Sequence, residues 1–409
     1  MTFASVSPLR MDVESIWQVI ETYTKVFSYL WQFPITYRVR SKKKRVELLP
    51  IRSYSYSAWK IYGCVIPFYL LTWVSTLIWI NQTNSAHSLR IHQIVVICCG
   101  VVCLITLGSG FIGVALWRKV YVKMTNELTD DYNDLVQQFD LTTPKRSKLI
   151  VTRVLQSIMI LYACSPLVMT PLILYLNIDG LSLIMTLFLK IKIVSGPIKC
   201  LIFTIRLLLT VPIALESPRL LAVLIISGFL KLTMVSSYYT ELWGIIRNST
   251  SFHQLRICFK FYDRLRINLK HDRVMRMNFF GLFFQALVLL GIILSFCTVK
   301  LRDKIPWQIY LAFPIFSWMT FAIGDVAIPI FVESATLPEE WLSRVKFVVG
   351  SWSGGEKAWG VRVAKSLQVK WVEVGLGNFK LYDVSKGTKS MVPFIIMDHT
   401  ITLLLSIDF

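Results

Sequence analysis

Long charge-free apolar runs alternate with basic segments along this chain, and the runs are too long for the core of a soluble domain. Residues 61–80, 91–117 and 154–177 form three of them. A helix of roughly 20 apolar residues, rising about 1.5 Å per residue, crosses a bilayer. Further runs cover 277–298, 307–332 and 390–409. The region between them is harder to read. Residues 180–215 are apolar but broken by Lys190, Lys192, Lys199 and Arg206, and a run at 218–237 carries Lys231 toward its far end. That lysine suits a side chain that snorkels out of a span. The stretch 180–215 is expected as a membrane-lying or re-entrant hairpin, with two short crossings as the alternative. The predicted fold class is an all-α membrane protein with seven transmembrane helices. Lipid admits only helices and closed barrels, because every backbone polar group must be satisfied internally.

Composition agrees. Hydrophobic residues make up 55% of the 409 positions and charged ones 17%. The formal charge of +20 forms no continuous basic face, so no nucleic-acid partner is expected. The cations cluster between runs, at Arg38 to Arg45 and from Arg247 to Arg276. Cytoplasmic loops carry such an excess. Both clusters are cytoplasmic if the amino end is inside and seven spans follow, which places the carboxyl end outside. The lysines of 180–215 sit awkwardly in this scheme. The sequon Asn81-Gln82-Thr83 is then external, and Asn248-Ser249-Thr250 is internal and bare.

This divides the chain into four parts. Residues 1–58 are a cytoplasmic amino-terminal segment. Residues 59–332 hold transmembrane helices one to six, a ligand-sensing bundle with cytoplasmic extensions. Residues 333–389 form cytoplasmic assembly helices, with apolar periodicity at Val345, Phe347, Val348, Val361, Val363 and Leu367 and breaks at Gly350, Gly354 and Gly355. Residues 390–409 are the last span, with no polar tail after it. This topology is opposite to that of a G-protein-coupled receptor.

The last run closes with Ile401-Thr402, five residues from Leu403 to Ile407, then Asp408-Phe409. The insect gustatory and odorant receptor superfamily usually closes with Thr-Tyr, five mostly apolar residues and Gln-Phe. Spacing and terminal Phe match, while Ile401, Thr402 and Asp408 replace Thr, Tyr and Gln. Upstream, Gly377-Asn378-Phe379-Lys380-Leu381 is similar to the family's Gly-x-Phe-x-Leu ahead of its last helix. With seven spans, an internal amino end and long cytoplasmic helices before span seven, the chain resembles that superfamily as a divergent gustatory-receptor-like member. The resemblance implies a chemosensory, ligand-gated, non-selective cation channel at the plasma membrane. It would be a homotetramer or heterotetramer with the seventh helix of each subunit lining a central pore. A small extracellular ligand, monovalent and divalent cations, membrane lipids and sister subunits are the implied partners.

Within that frame the last helix supplies the chemistry. Asp398, Thr402 and Leu405 share one face by helical spacing, and a ring of carboxylates attracts cations. Asp398 could instead pair with His399 inside its own subunit. Asp408 stands near the external mouth. Val392, Phe394 and Ile395 are candidates for an apolar gate, together with Met391 and Ile396. A ligand pocket is expected in the outer halves of spans one to six, lined by aromatics with few polar anchors. The candidates are Tyr69, Trp73, His92, Met169, Tyr310, Phe313 and Trp318, while Asp325 reads as a buried packing contact. No metal site, cofactor or enzymatic activity is expected. Gly350-Ser351-Trp352-Ser353-Gly354, the nearest imitation of a nucleophile elbow, has Trp where the nucleophile belongs. A secondary transporter and a non-conducting signalling or structural membrane protein are the rival readings.

The orientation has a direct test. In intact cells an amino-terminal tag should stay shielded from impermeant labels while a carboxyl-terminal tag is reached. An amino-terminal tag labelled from outside would overturn it.

Overall fold

A computed structural model describes residues 12–39, 44–48, 54–83, 91–140, 149–175, 177–185, 196–248, 251–303, 307–367, 373–376, 379–385 and 387–406. Helix α1 (Val13–Val26) opens it, capped by the Asp12 carboxylate, which accepts from the Ser15 backbone N–H. The antiparallel hairpin β1 (Ile35–Arg38) and β2 (Arg45–Leu48) follows. Next come α2 (Tyr54–Thr83), α3 (Ile91–Gln138), α4 (Leu149–Tyr175), the short turn α5 (Gly180–Leu183) and α6 (Gly196–Asn248). Then α7 (Phe252–His271), α8 (Arg273–Lys300), a single turn α9 (Trp307–Tyr310) and α10 (Ala312–Gly350). The chain finishes with α11 (Gly354–Ser366), the hairpin β3 (Glu373–Leu376) and β4 (Phe379–Asp383), and α12 (Thr388–Ser406).

Five helical stretches, within 100–138, 151–183, 196–246, 273–300 and 312–350, are long and apolar enough to cross a membrane. Helix α2 carries a shorter apolar stretch, Gly63–Trp79. Helix α12 has 19 residues, about 29 Å of rise. Side-chain pairs fix the relative directions. Gly63 lies against Phe111 and Gly100 against Trp73, so α2 and α3 are antiparallel. Gly110 lies against Leu224 and the Lys231 ammonium over the Tyr121 ring, so α3 and α6 run parallel. Gly324 meets Leu287 while Phe331 meets Phe280, so α8 and α10 are antiparallel. Gly291 meets Ile396 and the Lys300 ammonium donates to the Leu404 carbonyl, so α8 and α12 run parallel. These directions match an alternating order α2, α3, α4, α6, α8, α10, α12.

The region 180–215 departs from expectation. Residues 196–215 are no separate hairpin. They are the first part of α6, a 53-residue helix that continues through Pro212 and Pro218 and extends about 80 Å. Proline ends helices in water because freed carbonyls find better partners there. In an apolar bundle helix is the cheapest way to keep the remaining backbone groups paired. Helix α6 touches α1, α2, α3, α4, α7 and α10, and its second half supplies much of the core, including Leu220, Phe229, Met234, Tyr238 and Leu242.

Two further features were not legible. Helix α1 buries Ile16, Trp17, Val19, Ile20 and Tyr23 against α4 and α6. Residues 373–383, expected within assembly helices, form a hairpin instead. It pairs Glu373 with Asp383, Val374 with Tyr382 and Leu376 with Phe379. The break expected around Gly350 to Gly355 is present, between α10 and α11, with Gly354 in the left-handed region at φ 64°.

Strand β3 lies directly on α8. A Cβ on Gly281 would fall 2.2 Å from the Gly375 carbonyl oxygen, which belongs to rigid backbone. A Cβ on Gly244 meets nothing within 4 Å. Gly281→Ala should therefore destabilise the detergent-solubilised protein by about 1–3 kcal/mol through overpacking. Gly244→Ala should be neutral or stabilising by up to about 1 kcal/mol through helix propensity. Thermal unfolding of both variants checks the contrast, and equal melting temperatures would refute the hairpin's seat.

Candidate functional site

Four helices, α3, α6, α8 and α10, with Tyr162 of α4 and Ile35 of β1, line a cavity with about 180 Å³ of open space. Its walls are mostly apolar, with Val114, Leu224, Phe279, Phe283, Leu287 and Leu290 among them. Small residues make the helices approach closely here. Leu224 sits against the bare backbone of Gly110, and Phe279 against that of Gly228. Thr106, Ser109, Ser227 and Asn278 add neutral polar groups.

One end of the cavity is cationic. Arg118, at the close of the first apolar run of α3, Lys231 on α6 and Arg276 on the first turn of α8 all line it. The Lys231 ammonium donates to Asp272 Oδ2 at 2.6 Å, and Arg276 Nη1 lies 3.7 Å from Asp272 Oδ1. Asp272 ends α7 and is 2% exposed. Burial pushes its carboxyl up, but the charges of Lys231 and Arg276 outweigh burial and hold it below the ordinary carboxylate value. Residues far apart in sequence thus converge on one buried cluster. Each alone reads as a snorkelling cation at the end of a span.

Among the described side chains, none of those expected to line a ligand pocket lines this cavity. Tyr69 and Trp73 are fully or nearly buried and serve a latch at the opposite end of the bundle. The Tyr69 hydroxyl is 2.8 Å from the Thr210 hydroxyl, and the Trp73 indole N–H donates to the Ile178 carbonyl at 2.8 Å. Beside them Arg206 donates to Asp179 Oδ2 at 2.6 Å, to the Leu174 carbonyl and to Asn177 Oδ1. Arg206 thereby pins the α4–α5 turn, while Lys190 and Lys192 lie outside the described residues. Phe313 is buried in helix packing, and the Tyr310 hydroxyl donates to the Thr298 carbonyl at 2.9 Å. Met169 is half-buried on α4 and Trp318 is exposed on α10. His92 lies in α3, with its side chain outside the described residues. Asp325 is a correction. It points out of the chain and is no buried packing contact.

Helix α12 is sharply two-sided. Val392, Ile396 and Thr400, spaced by four, are buried on a face that packs against α8 and α10. Val392 is thus a packing residue within the chain. The opposite face carries Met391, Phe394, Asp398, Ile401, Thr402 and Leu405, all exposed, with Ile395 at its margin. Asp398 and Leu405 lie near the middle of this face, and the Thr402 hydroxyl donates back to the Asp398 carbonyl at 2.9 Å. His399 Nδ1 lies 3.5 Å from Asp398 Oδ2, both side chains being about 60% exposed. Asp408 and Phe409 lie outside the described residues.

The architecture has solved counterparts. The insect olfactory receptor OR5 from Machilis hrabei superposes over 96% of this chain and 97% of its own, with a TM-score of 0.58 and 11% sequence identity. The fold is that of an insect olfactory receptor. The same receptor in complex with eugenol aligns over 96% of this chain and 99% of its own, with a TM-score of 0.48 and 12% identity. No family model and no curated protein matches the sequence. At this identity the likeness is one of fold, carried by the pattern of apolar helices.

The buried cluster makes a stability prediction. Asp272→Ala strands Lys231 and Arg276 and should cost about 3–5 kcal/mol, as breaking a buried pair does. Replacing both partners, Lys231→Met with Asp272→Leu, should recover most of that. The Asp272 carboxyl is depressed in the folded state, so its contribution is present above the unfolded value. It is lost as pH falls below about 4, through the folded value. Thermal unfolding in detergent against pH measures this. A single Asp272→Ala variant as stable as wild type would refute the cluster's role.

Proposed function

We propose that the chain is a member of the insect gustatory and odorant receptor superfamily and a subunit of a chemosensory, ligand-gated cation channel. It spans the plasma membrane seven times with its amino end inside. Four subunits, alike or mixed, surround a pore lined by α12. The observation that carries this reading is the uncovered face of α12, centred near Asp398 in an otherwise apolar helix. A carboxylate facing lipid is costly. One facing a water-filled pore, repeated around an axis, attracts monovalent and divalent cations. Asp325 supports assembly in the same way, since it points out of α10 and lipid is again a poor neighbour. Phe394 and Ile395 remain the gate candidates, and Asp408 extends the acidic lining to the external mouth.

The ligand site is the cavity between α3, α6, α8 and α10, which replaces the outer aromatic pocket. In the proposed orientation it reaches from the midplane toward the cytoplasmic side. A membrane-partitioning small molecule therefore suits it better than a polar sugar. Such a ligand opens the channel only by binding the open form more tightly than the closed one.

Asp398→Asn should lower single-channel cation conductance, or the preference for cations over anions, with surface expression intact. Two unit charges 4 Å apart interact by about 1 kcal/mol in water and by more in a confined pore. The effect is modest per subunit and cumulative over four. Asp408→Gln, which restores the family residue, should conduct with a milder change. Recordings in symmetric and diluted salt decide. Unaltered conductance and reversal potential in Asp398→Asn would place this face away from the pore, and substrate flux without unitary currents would favour a transporter.

A further inference from the structure

We infer that the cavity between α3, α6, α8 and α10 is a site for an anionic amphiphile, with its acid head at Arg118, Lys231 and Arg276 and its alkyl chain between Phe279, Phe283 and Leu290. The inference rests on reading this cavity as the ligand site, and not on conduction through α12.

Charge selects the head. Three cationic side chains line one cavity, and no carboxylate lines it among the described residues. Asp272 lies just beyond, and it must serve both Lys231 and Arg276. Arg118 is 7% exposed and Lys231 9%. Concentrating positive charge in a buried space is expensive. A bound anion offsets that cost and gains charge-assisted hydrogen bonds from the guanidinium groups and the ammonium.

Shape selects the tail. Away from the cationic end the walls turn apolar along α8 and α10, up to Leu290 and Ile323. Among the described residues the polar groups in that part are neutral hydroxyls, those of Thr106, Ser109, Tyr162 and Thr320. The cations also sit where the apolar runs of α3 and α8 meet their basic flanks. Basic pockets at that depth between membrane helices accept lipid head groups. A long-chain carboxylate and an anionic phospholipid share this chemistry: an acid at the interface and methylenes toward the midplane.

The test uses the full-length protein purified in an uncharged detergent and measures equilibrium binding of radiolabelled laurate. Dodecanol, with the same chain and no charge, is the unlabelled competitor. We expect saturable laurate binding, with dodecanol competing at least about tenfold more weakly, as loss of a charge-assisted contact implies. Arg118→Gln should reduce laurate affinity about tenfold and leave dodecanol unchanged. Ala286→Phe, which fills the apolar part from α8, should weaken both. Non-saturable laurate uptake, dodecanol competing as well as laurate, or unaltered binding in Ala286→Phe would each overturn the inference. The laurate–dodecanol comparison needs no variant, so a misfolded substitution does not blunt it. Repeating the assay in nanodiscs separates the sources. Competition by phosphatidylglycerol but not by phosphatidylcholine identifies a membrane lipid, and competition by neither identifies a free acid. Laurate that binds without altering channel current would refute gating from this cavity and leave the binding inference standing.

Discussion

The ion pair of Glu216 and Arg219 inside α6 is the constraint around which the bundle is arranged. Arg219 Nη2 lies 2.6 Å from Glu216 Oε1, and both side chains are at most 2% exposed. Two charges at that depth must be satisfied within the protein, since neither lipid nor water can do it. Arg219 therefore also donates to the Trp31 carbonyl and lies over the rings of Trp31 and Phe33. That draws the chain following α1 onto α6 and fixes α1 between α4 and α6. The Tyr29 hydroxyl then reaches the Ala163 carbonyl, Gln156 donates to Thr22, and the Tyr37 hydroxyl meets that of Ser227. The hairpin that follows is held by Asn126, which both accepts from and donates to the Val46 backbone. One buried pair thus organises the amino-terminal segment, the middle of α6 and the start of the extension of α3.

Charge is sorted by position as well as by sign. The deeply buried pairs, Arg219 with Glu216 and Lys231 with Asp272, lie inside the chain. Asp325 and Asp398 point out of it. A monomer surrounded by lipid would reverse that economy, shielding acids and exposing methylenes. The arrangement is consistent with a subunit whose α12 face is completed by other copies and by water.

Much of this was legible in the sequence, and the misses share a cause. Helices α2, α3, α4, α8 and α10 take up most of the runs read at 61–80, 91–117, 154–177, 277–298 and 307–332, because a bilayer-length apolar run admits few solutions. The continuation of α3 to Gln138 did not announce itself, since the chain turns polar while the helix goes on, whereas the periodicity of Val345, Phe347 and Val348 did mark helix up to Gly350, though not its continuity with the span before it. The β3–β4 hairpin was misread as helical. Its strands are only four and five residues long, too short to outvote helical periodicity. The polar partners of the outer aromatics were not legible either: the Tyr69 hydroxyl meets Thr210 on α6, and the Trp73 indole holds the turn at Ile178. The cavity's own signal was quiet: glycine and serine at 109, 110, 227 and 228 carry no chemistry, and its cations lie 113 and 45 residues apart in the chain.

Helix α8 is the wall that the cavity and α12 share. Phe279, Phe283, Ala286 and Leu290 turn toward the cavity, while Gly291 receives Ile396 of α12 and Lys300 holds the Leu404 carbonyl. The contact at Gly291 leaves little slack. A Cβ there would lie 2.9 Å from the Ile396 side chain, so α12 rests almost on the α8 backbone. Well-packed interfaces of this kind shift between discrete arrangements more readily than they deform. A molecule in the cavity that favours one placement of α8 would thereby favour one placement of α12. Converting a channel that is closed 99 times in 100 into one that is open as often needs about 5.5 kcal/mol of differential affinity. In the proposed tetramer four cavities acting on one pore would divide that demand, so each subunit would need only about 1.4 kcal/mol of preference for the open form. A single cation–anion contact that shortens on opening is of that size. The cationic end of the cavity, lined by Arg276 on the first turn of α8, is where such a contact would act on the shared helix.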